Sequence, residues 1–138
     1  RLVIAFLDAS ALIYLVDGDS EWRGAVQQVL QELAAEDPSL CIAASRLSLL
    51  ECRVGPLRRG DQVSLDRFDV LFAQSDLLWV ELTAAVVEQA TRLRAQHGLR
   101  TPDALQAACC LQLGPEAVMV TGDADFRRIP SLQLRLIS

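Results

Sequence analysis

The run LVIAFL at residues 2–7 contains no polar residue and ends abruptly at Asp8. An unbroken apolar run this short predicts a strand buried on both faces. Such strands belong to parallel sheets covered by helices on either side. The same figure returns at residues 117–122, where AVMVTG leads into Asp123. Two more acids interrupt apolar stretches: Glu51 within SLLEC, and Asp103 at the opening of TPDALQAACC. Carboxylates in such surroundings are rare unless they are paired or hold a metal. Four of them predict an anionic pocket for a hard cation such as Mg²⁺ or Mn²⁺, and with it a metal-dependent enzyme.

The remaining punctuation predicts strands alternating with helices. Asp8 opens a helix to about Val16, and residues 20–36 carry Trp22, Val26, Val29, Leu30 and Leu33 near helical spacing, with Ser20 as candidate cap. Asp37-Pro38 stops that helix, and residues 40–44 form a second strand. Ser45 caps a helix to about Val54, where Gly55-Pro56 is expected to break it. A helix over 62–74, a strand over 77–82 and a helix from Thr83 to His97 ending at Gly98 follow. Thr101 is the expected cap of the next helix, with Pro102 in its first turn and Gly114-Pro115 at its end. Residues 117–121 and 132–136 supply the last strands. The pattern is that of a single α/β domain spanning residues 1–138, a three-layer α/β/α sandwich around a central, mostly parallel sheet of about four to five strands.

In such a sheet functional groups gather beyond the carboxyl ends of the strands. Asp8 and Asp123 each follow a strand, and Asp103 lies in the first turn of a helix that begins at the same edge. Glu51 lies within its helix, on the stripe marked by Leu47, Leu50 and Val54, which directs it inward. Each acid also has an ordinary alternative. Asp8 is a good helix cap, Asp103 suits a helix N-terminus, Glu51 can be a surface residue, and Asp123 and Asp125 suit a turn. Their joint placement is what argues for a site.

Composition narrows the chemistry. All 13 basic residues are arginine, so a phosphate-binding loop that needs lysine is excluded. Receiver domains and haloacid-dehalogenase-like phosphatases, which share the aspartate after a strand, also use a lysine. The four cysteines include no CxxC pair and read as buried thiols. The lone His97 stands beside Gly98 at a helix end, which leaves histidine-based catalysis without support. Net charge is −5; that disfavours nucleic acid, although a bound divalent ion would invert the local field. No apolar run approaches the roughly 20 residues of a membrane span. Asp8 and Asp17 break any likeness of the opening to a signal segment, so a soluble, cytoplasmic protein is expected.

The series LDASALI, SLLEC, TPDALQAA and TGDADF, in this order and spacing, resembles a PIN domain, and in particular the VapC-type toxins of bacterial toxin–antitoxin pairs. The resemblance runs from residue 2 to about 135. It implies a Mg²⁺- or Mn²⁺-dependent endoribonuclease whose acidic quartet is Asp8, Glu51, Asp103 and Asp123, with Asp125 as an additional acid. It makes Ser10 and Thr121 polar supports of the site. Gly122 departs from the family, whose members often carry Asn there. The resemblance further implies an RNA substrate, a cognate antitoxin that covers the acidic site, and a homodimer, with residues 12–15 and 46–72 able to supply either interfaces or core. Arg58 and Arg59, Arg92, Arg94 and Arg100, and the pair Arg127-Arg128 are candidate phosphate contacts, against the ordinary role of solvated arginines. A metal-dependent phosphohydrolase or DNA nuclease on the same quartet, or a non-catalytic interaction module of the same fold, are the alternatives.

Overall fold

The structure, a computed structural model, describes residues 2–137. Its strands are β1 (Ile4–Leu7), β2 (Cys41–Ser45), β3 (Leu78–Val80), β4 (Ala117–Thr121) and β5 (Leu134–Leu136). They form one sheet in the order β3-β2-β1-β4-β5, and every neighbouring pair is parallel. Around it pack α1 (Ala9–Asp17), α2 (Ser20–Glu36), α3 (Arg46–Arg59), α4 (Gln62–Phe72), α5 (Ala84–His97) and α6 (Thr101–Gln112). A short 3-10 helix (Ala124–Arg128) follows β4.

Because side chains alternate across a strand, the apolar runs feed two cores. Val3, Ala5, Leu7, Val118 and Val120 face one layer, where Leu12, Val26, Leu33 and Phe68 from α1, α2 and α4 cover them. Phe6, Ala117 and Met119 face the other, against Val86, Ala90 and Leu93 of α5 and Ala104, Ala107 and Ala108 of α6. This is the expected three-layer α/β/α arrangement, with the sheet all parallel. Leu12 is wholly inside the first core, whereas Ile13 beside it is exposed. No helix of the described residues is long and apolar enough to cross a membrane.

The strand order places the site. From β1 the chain moves to β2 on one side, and from β4 to β5 on the other. Neighbouring strands whose connections diverge leave a crevice beyond their carboxyl ends. The β1–β4 register pairs Leu7 with Val120, and the Asp8 N–H donates to the Val120 carbonyl at 3.3 Å. The residues that follow both strands therefore enter the crevice side by side.

Several local expectations are corrected. Helix α3 is not broken at Gly55-Pro56 but runs through to Arg59 and ends at Gly60, whose φ of 65° is the left-handed turn glycine favours. Its buried stripe is Ser48, Cys52 and Pro56, four residues apart, so Pro56 lies on the packed face and burial outweighs its missing N–H. Leu50 and Val54, expected on that stripe, are exposed. The cap of α2 is Asp19 rather than Ser20. The cap of α6 is Arg100 rather than Thr101, with no side-chain cap bond. Asp37 does more than stop α2. Its Oδ2 accepts from the Val3 N–H at 2.9 Å, and its Oδ1 from both Ser39 groups, which ties the entry of β1 to the entry of β2.

Candidate active site

Asp8 caps α1 and is buried. Its Oδ1 accepts from the Ala11 N–H at 3.0 Å and the Ser10 hydroxyl at 2.7 Å, and its Oδ2 accepts from the Thr121 hydroxyl at 2.5 Å. Those hydroxyls reach across to the loop after β4. Ser10 Oγ accepts from the Gly122 N–H, and Thr121 Oγ1 from the Asp123 N–H, both at 3.0 Å. Ser10 and Thr121 thus join the two strand ends and hold Asp8 in one orientation. Burial pushes the Asp8 carboxyl above its ordinary value despite these hydrogen bonds, and the nearby Asp123 charge pushes the same way.

Asp123 caps the 3-10 helix, with Oδ1 accepting from the Asp125 N–H at 2.9 Å. Asp125 itself is exposed in the first turn of that helix, and its carboxylate lies 3.7 Å from Arg128. Gly122 has a reason in this chain. A Cβ there would stand 2.7 Å from the Tyr14 ring, which is itself stacked on Trp22 with centroids 4.7 Å apart. Gly122→Ala is therefore expected to destabilise the fold by about 1–3 kcal/mol, as overpacking does. A thermal melt indistinguishable from wild type would show that the ring yields.

Glu51 is half-buried on α3, beside the Ser48–Cys52–Pro56 stripe and not on the one expected. Its Oε1 accepts from Gln106 Nε2 of α6 at 2.8 Å. Burial raises its carboxyl, and the charges of Asp8 and Asp103 raise it further against the lowering by Gln106 and Arg100. Asp103 is held by Arg100, Nε to Oδ2 at 3.1 Å. The four acids consequently share one electrostatic region at the sheet edge. Among the described residues, no three His, Cys, Asp or Glu side chains are grouped so as to hold a metal ion. In chemistry the donor set suits a hard cation: all oxygen, no thiolate or imidazole, with mutual repulsion that a divalent ion would relieve. Burial pushes the Cys52 thiol up to about 12, with help from Glu51 and Asp8, so this neighbour remains a protonated packing group.

The arginines divide. Arg59 is paired with Asp17 at 3.3 Å and Asp61 at 3.1 Å. Arg92 pairs with Glu88, and Arg94 donates to the Leu99 carbonyl. Arg128 lies near Asp125 and the Gly98 carbonyl. Arg58 and Arg127 are exposed and make no ion pair among the described residues. Sequence reasoning passed over Gln106, because a lone amide inside ALQAACC carries no pattern of its own.

Known proteins bear on this geometry. Among solved structures the chain is similar to VapBC2 from Rickettsia felis bound to a promoter DNA fragment, with TM-score 0.77 and 24% identity over 99% of this chain and 100% of that one. It is also similar to DNA-bound VapBC from Salmonella typhimurium, with TM-score 0.75 and 16% identity over 100% of both chains. Mycobacterium tuberculosis VapC20, a Sarcin-Ricin loop cleaving toxin, gives TM-score 0.68 and 20% identity over 89% and 92%. No curated protein matches the sequence. At these identities the likeness is one of fold. The PIN domain model matches residues 5–132, a stretch that takes in all four acids and nearly the whole chain, and the chain belongs to the PIN domain family.

Proposed function

We propose that this chain is a single-domain, divalent-ion-dependent endoribonuclease and the toxin of a cytoplasmic toxin–antitoxin pair. The observation that carries the reading is the buried Asp8 carboxylate, which has no arginine partner among the described residues and shares its region with three other acids. Capping α1 does not require so many carboxylates together, and a buried anion without a cationic partner costs stability unless something offsets it. Asp8, Glu51, Asp103 and Asp123 would hold Mg²⁺ or Mn²⁺, with Asp125 at the margin. The ion, when bound, supplies charge stabilisation at the phosphodiester and activation of water. Ser10 and Thr121 keep Asp8 aimed and accept the backbone N–H groups of residues 122 and 123. Arg58 and Arg127 are the arginines best placed to meet RNA phosphates; Arg59, Arg100 and Arg128 would first have to leave their present partners.

Two of the solved structures of similar fold are VapBC assemblies, and a third is a toxin described as Sarcin-Ricin loop cleaving; both points support the reading. The antitoxin would find an apolar surface on α3 and α4, where Leu50, Leu57, Val63 and Val70 are each more than 60% exposed. A homodimer would draw on the same kind of surface.

The test is incubation of the purified chain with structured RNAs and with single-stranded DNA, in Mg²⁺, in Mn²⁺ and in chelator. RNA cleavage with either ion and none in chelator is expected. Cleavage that persists in chelator removes the role of the ion, and cleavage confined to DNA replaces the substrate.

A further inference from the structure

We infer that Gln106 is the positioning residue for Glu51, and that its side-chain amide fixes which way that carboxylate meets a cation; the inference rests on the proposed metal-dependent reading of the site. Gln106 lies on α6 among Ala104, Ala107 and Ala108, a face packed on the sheet, and is only 3% exposed. It nevertheless makes a bridge between α6 and α3. Its Nε2 donates to Glu51 Oε1 at 2.8 Å and to Ser48 Oγ at 3.0 Å. Ser48 and Glu51 are three residues apart, and so neighbours on one side of α3. Both amide hydrogens are therefore committed to α3.

The cost of this bridge is visible. Among the buried side-chain oxygens and nitrogens of the described residues, Gln106 Oε1 alone has no hydrogen-bond partner. A buried carbonyl left without a donor is a penalty that native folds avoid unless something compensates. Turning the amide over would bring Oε1 toward Ser48, whose hydroxyl can donate. It would also set an oxygen against the Glu51 carboxylate, which only accepts. The orphaned oxygen is thus the consequence of aiming Nε2 at Glu51. An apolar residue of the same length would fill the space and remove the orphaned oxygen, but would leave buried Ser48 Oγ and the Glu51 carboxylate without this donor. Volume alone does not account for Gln at this position, whereas a donor shared by Ser48 and Glu51 does. The bond occupies Oε1 of Glu51 and leaves Oε2 without a hydrogen bond among the described residues, available to a cation. Partners that orient a metal ligand typically change metal affinity or activity by about 10–100-fold when removed.

The experiment compares Gln106→Met with wild type and repeats the pair in a Glu51→Gln background. Mn²⁺ binding is read by the electron paramagnetic resonance of free Mn²⁺, and folding by thermal melting. Gln106→Met is expected to weaken Mn²⁺ binding about 10-fold while its Tm stays close to that of wild type, because the orphaned oxygen is gone and Ser48 Oγ loses its donor in exchange. In single-turnover RNA cleavage its rate constant falls, while the RNA dissociation constant measured in chelator is unchanged. In the Glu51→Gln background the same substitution should change Mn²⁺ binding little, since the residue it acts through is absent. Equal Mn²⁺ affinity in Gln106→Met and wild type overturns the inference and leaves the metal reading standing. A full-sized effect persisting in Glu51→Gln overturns it too, by showing that Gln106 acts through packing. If wild type binds no Mn²⁺, the metal reading falls and takes this inference with it.

Discussion

Asp8→Asn is expected to abolish cleavage while leaving the metal-free protein at least as stable as wild type at pH 7. The two halves of that result have one cause. Asp8 is buried, desolvation has raised its carboxyl, and the neighbouring Asp123 charge adds to the penalty. The native chain therefore disfavours the ionised form of this side chain. Asn keeps the shape and most of the bonds. Its Oδ1 still accepts from Ala11 N–H and Ser10, and its Nδ2 can donate to Thr121 Oγ1, which then turns its own proton toward Ser10 Oγ, 3.4 Å away. The fold loses little and is rid of a group whose ionised form burial disfavours. The site, in contrast, loses the carboxylate at its centre. Removing a residue that merely supports a metal ligand costs about 10–100-fold, so the loss here should exceed about 100-fold. The checks are single-turnover cleavage of RNA and a thermal melt in chelator. An active variant would take Asp8 out of the mechanism. An inactive variant with a much lower Tm would make Asp8 a structural cap, which is the ordinary alternative for an Asp at this position.

How far the sequence foretold this molecule follows from where the forces act. Strands β1 and β4 were legible because an apolar run closed by an acid has few other uses in a parallel sheet, and residues 117–121 were bounded to the residue. Helix α5 was legible for local reasons, Thr83 at one end and Gly98 with φ 66° at the other. Helix α3 was misread because Gly55-Pro56 is a local stop signal, whereas the packing of Ser48, Cys52 and Pro56 against the core is tertiary. The same misreading put Glu51 on the wrong stripe. It is half-buried because α6 lies against it, which spacing within α3 does not reveal. Likewise, Arg59 reads as a free cation until the fold brings Asp17 to it from 42 residues away. Gln106, and the bond of Asp37 to Val3, were invisible for a related reason. Each rests on a single polar residue whose partner is remote in sequence, 55 residues for the Gln106–Glu51 bond and 34 for Asp37 and Val3.

The stability of the metal-free protein should fall as pH rises from the ordinary carboxylate range, and a divalent ion should restore it. Asp8 and Glu51 both have raised carboxyls, with burial the leading cause in each, against ordinary values of 3.8 and 4.5. Between the ordinary and the raised values the native chain holds protons that the unfolded chain has released. The unfolded state then binds fewer protons, and unfolding free energy declines with pH until both native carboxyls have ionised, where the decline ends. Asp37 and Asp61 act on the acid side. The Ser39 hydroxyl and the Ser64 N–H respectively lead in holding them below 3.8, so their contribution is complete above that value and disappears as pH falls through their native titration. Opposed limbs place the maximum for the metal-free chain near pH 4 to 5, in the ordinary range of the four groups, below the broad neutral plateau of most globular proteins. A divalent ion at neutral pH binds only the native chain and favours the ionised carboxylates. At a hundred times its dissociation constant it adds about 2.7 kcal/mol, roughly 10 °C in Tm for a domain of this size. Thermal melts between pH 3 and 8, with chelator and with Mn²⁺, check both parts. The Asp8→Asn, Glu51→Gln double variant should lose the descending limb and the response to Mn²⁺ together, because both come from the same two carboxylates. A metal-free chain whose stability stays level from pH 4 to 7, with no response to Mn²⁺, would mean that these carboxylates repel neither each other nor their surroundings enough to call for an ion.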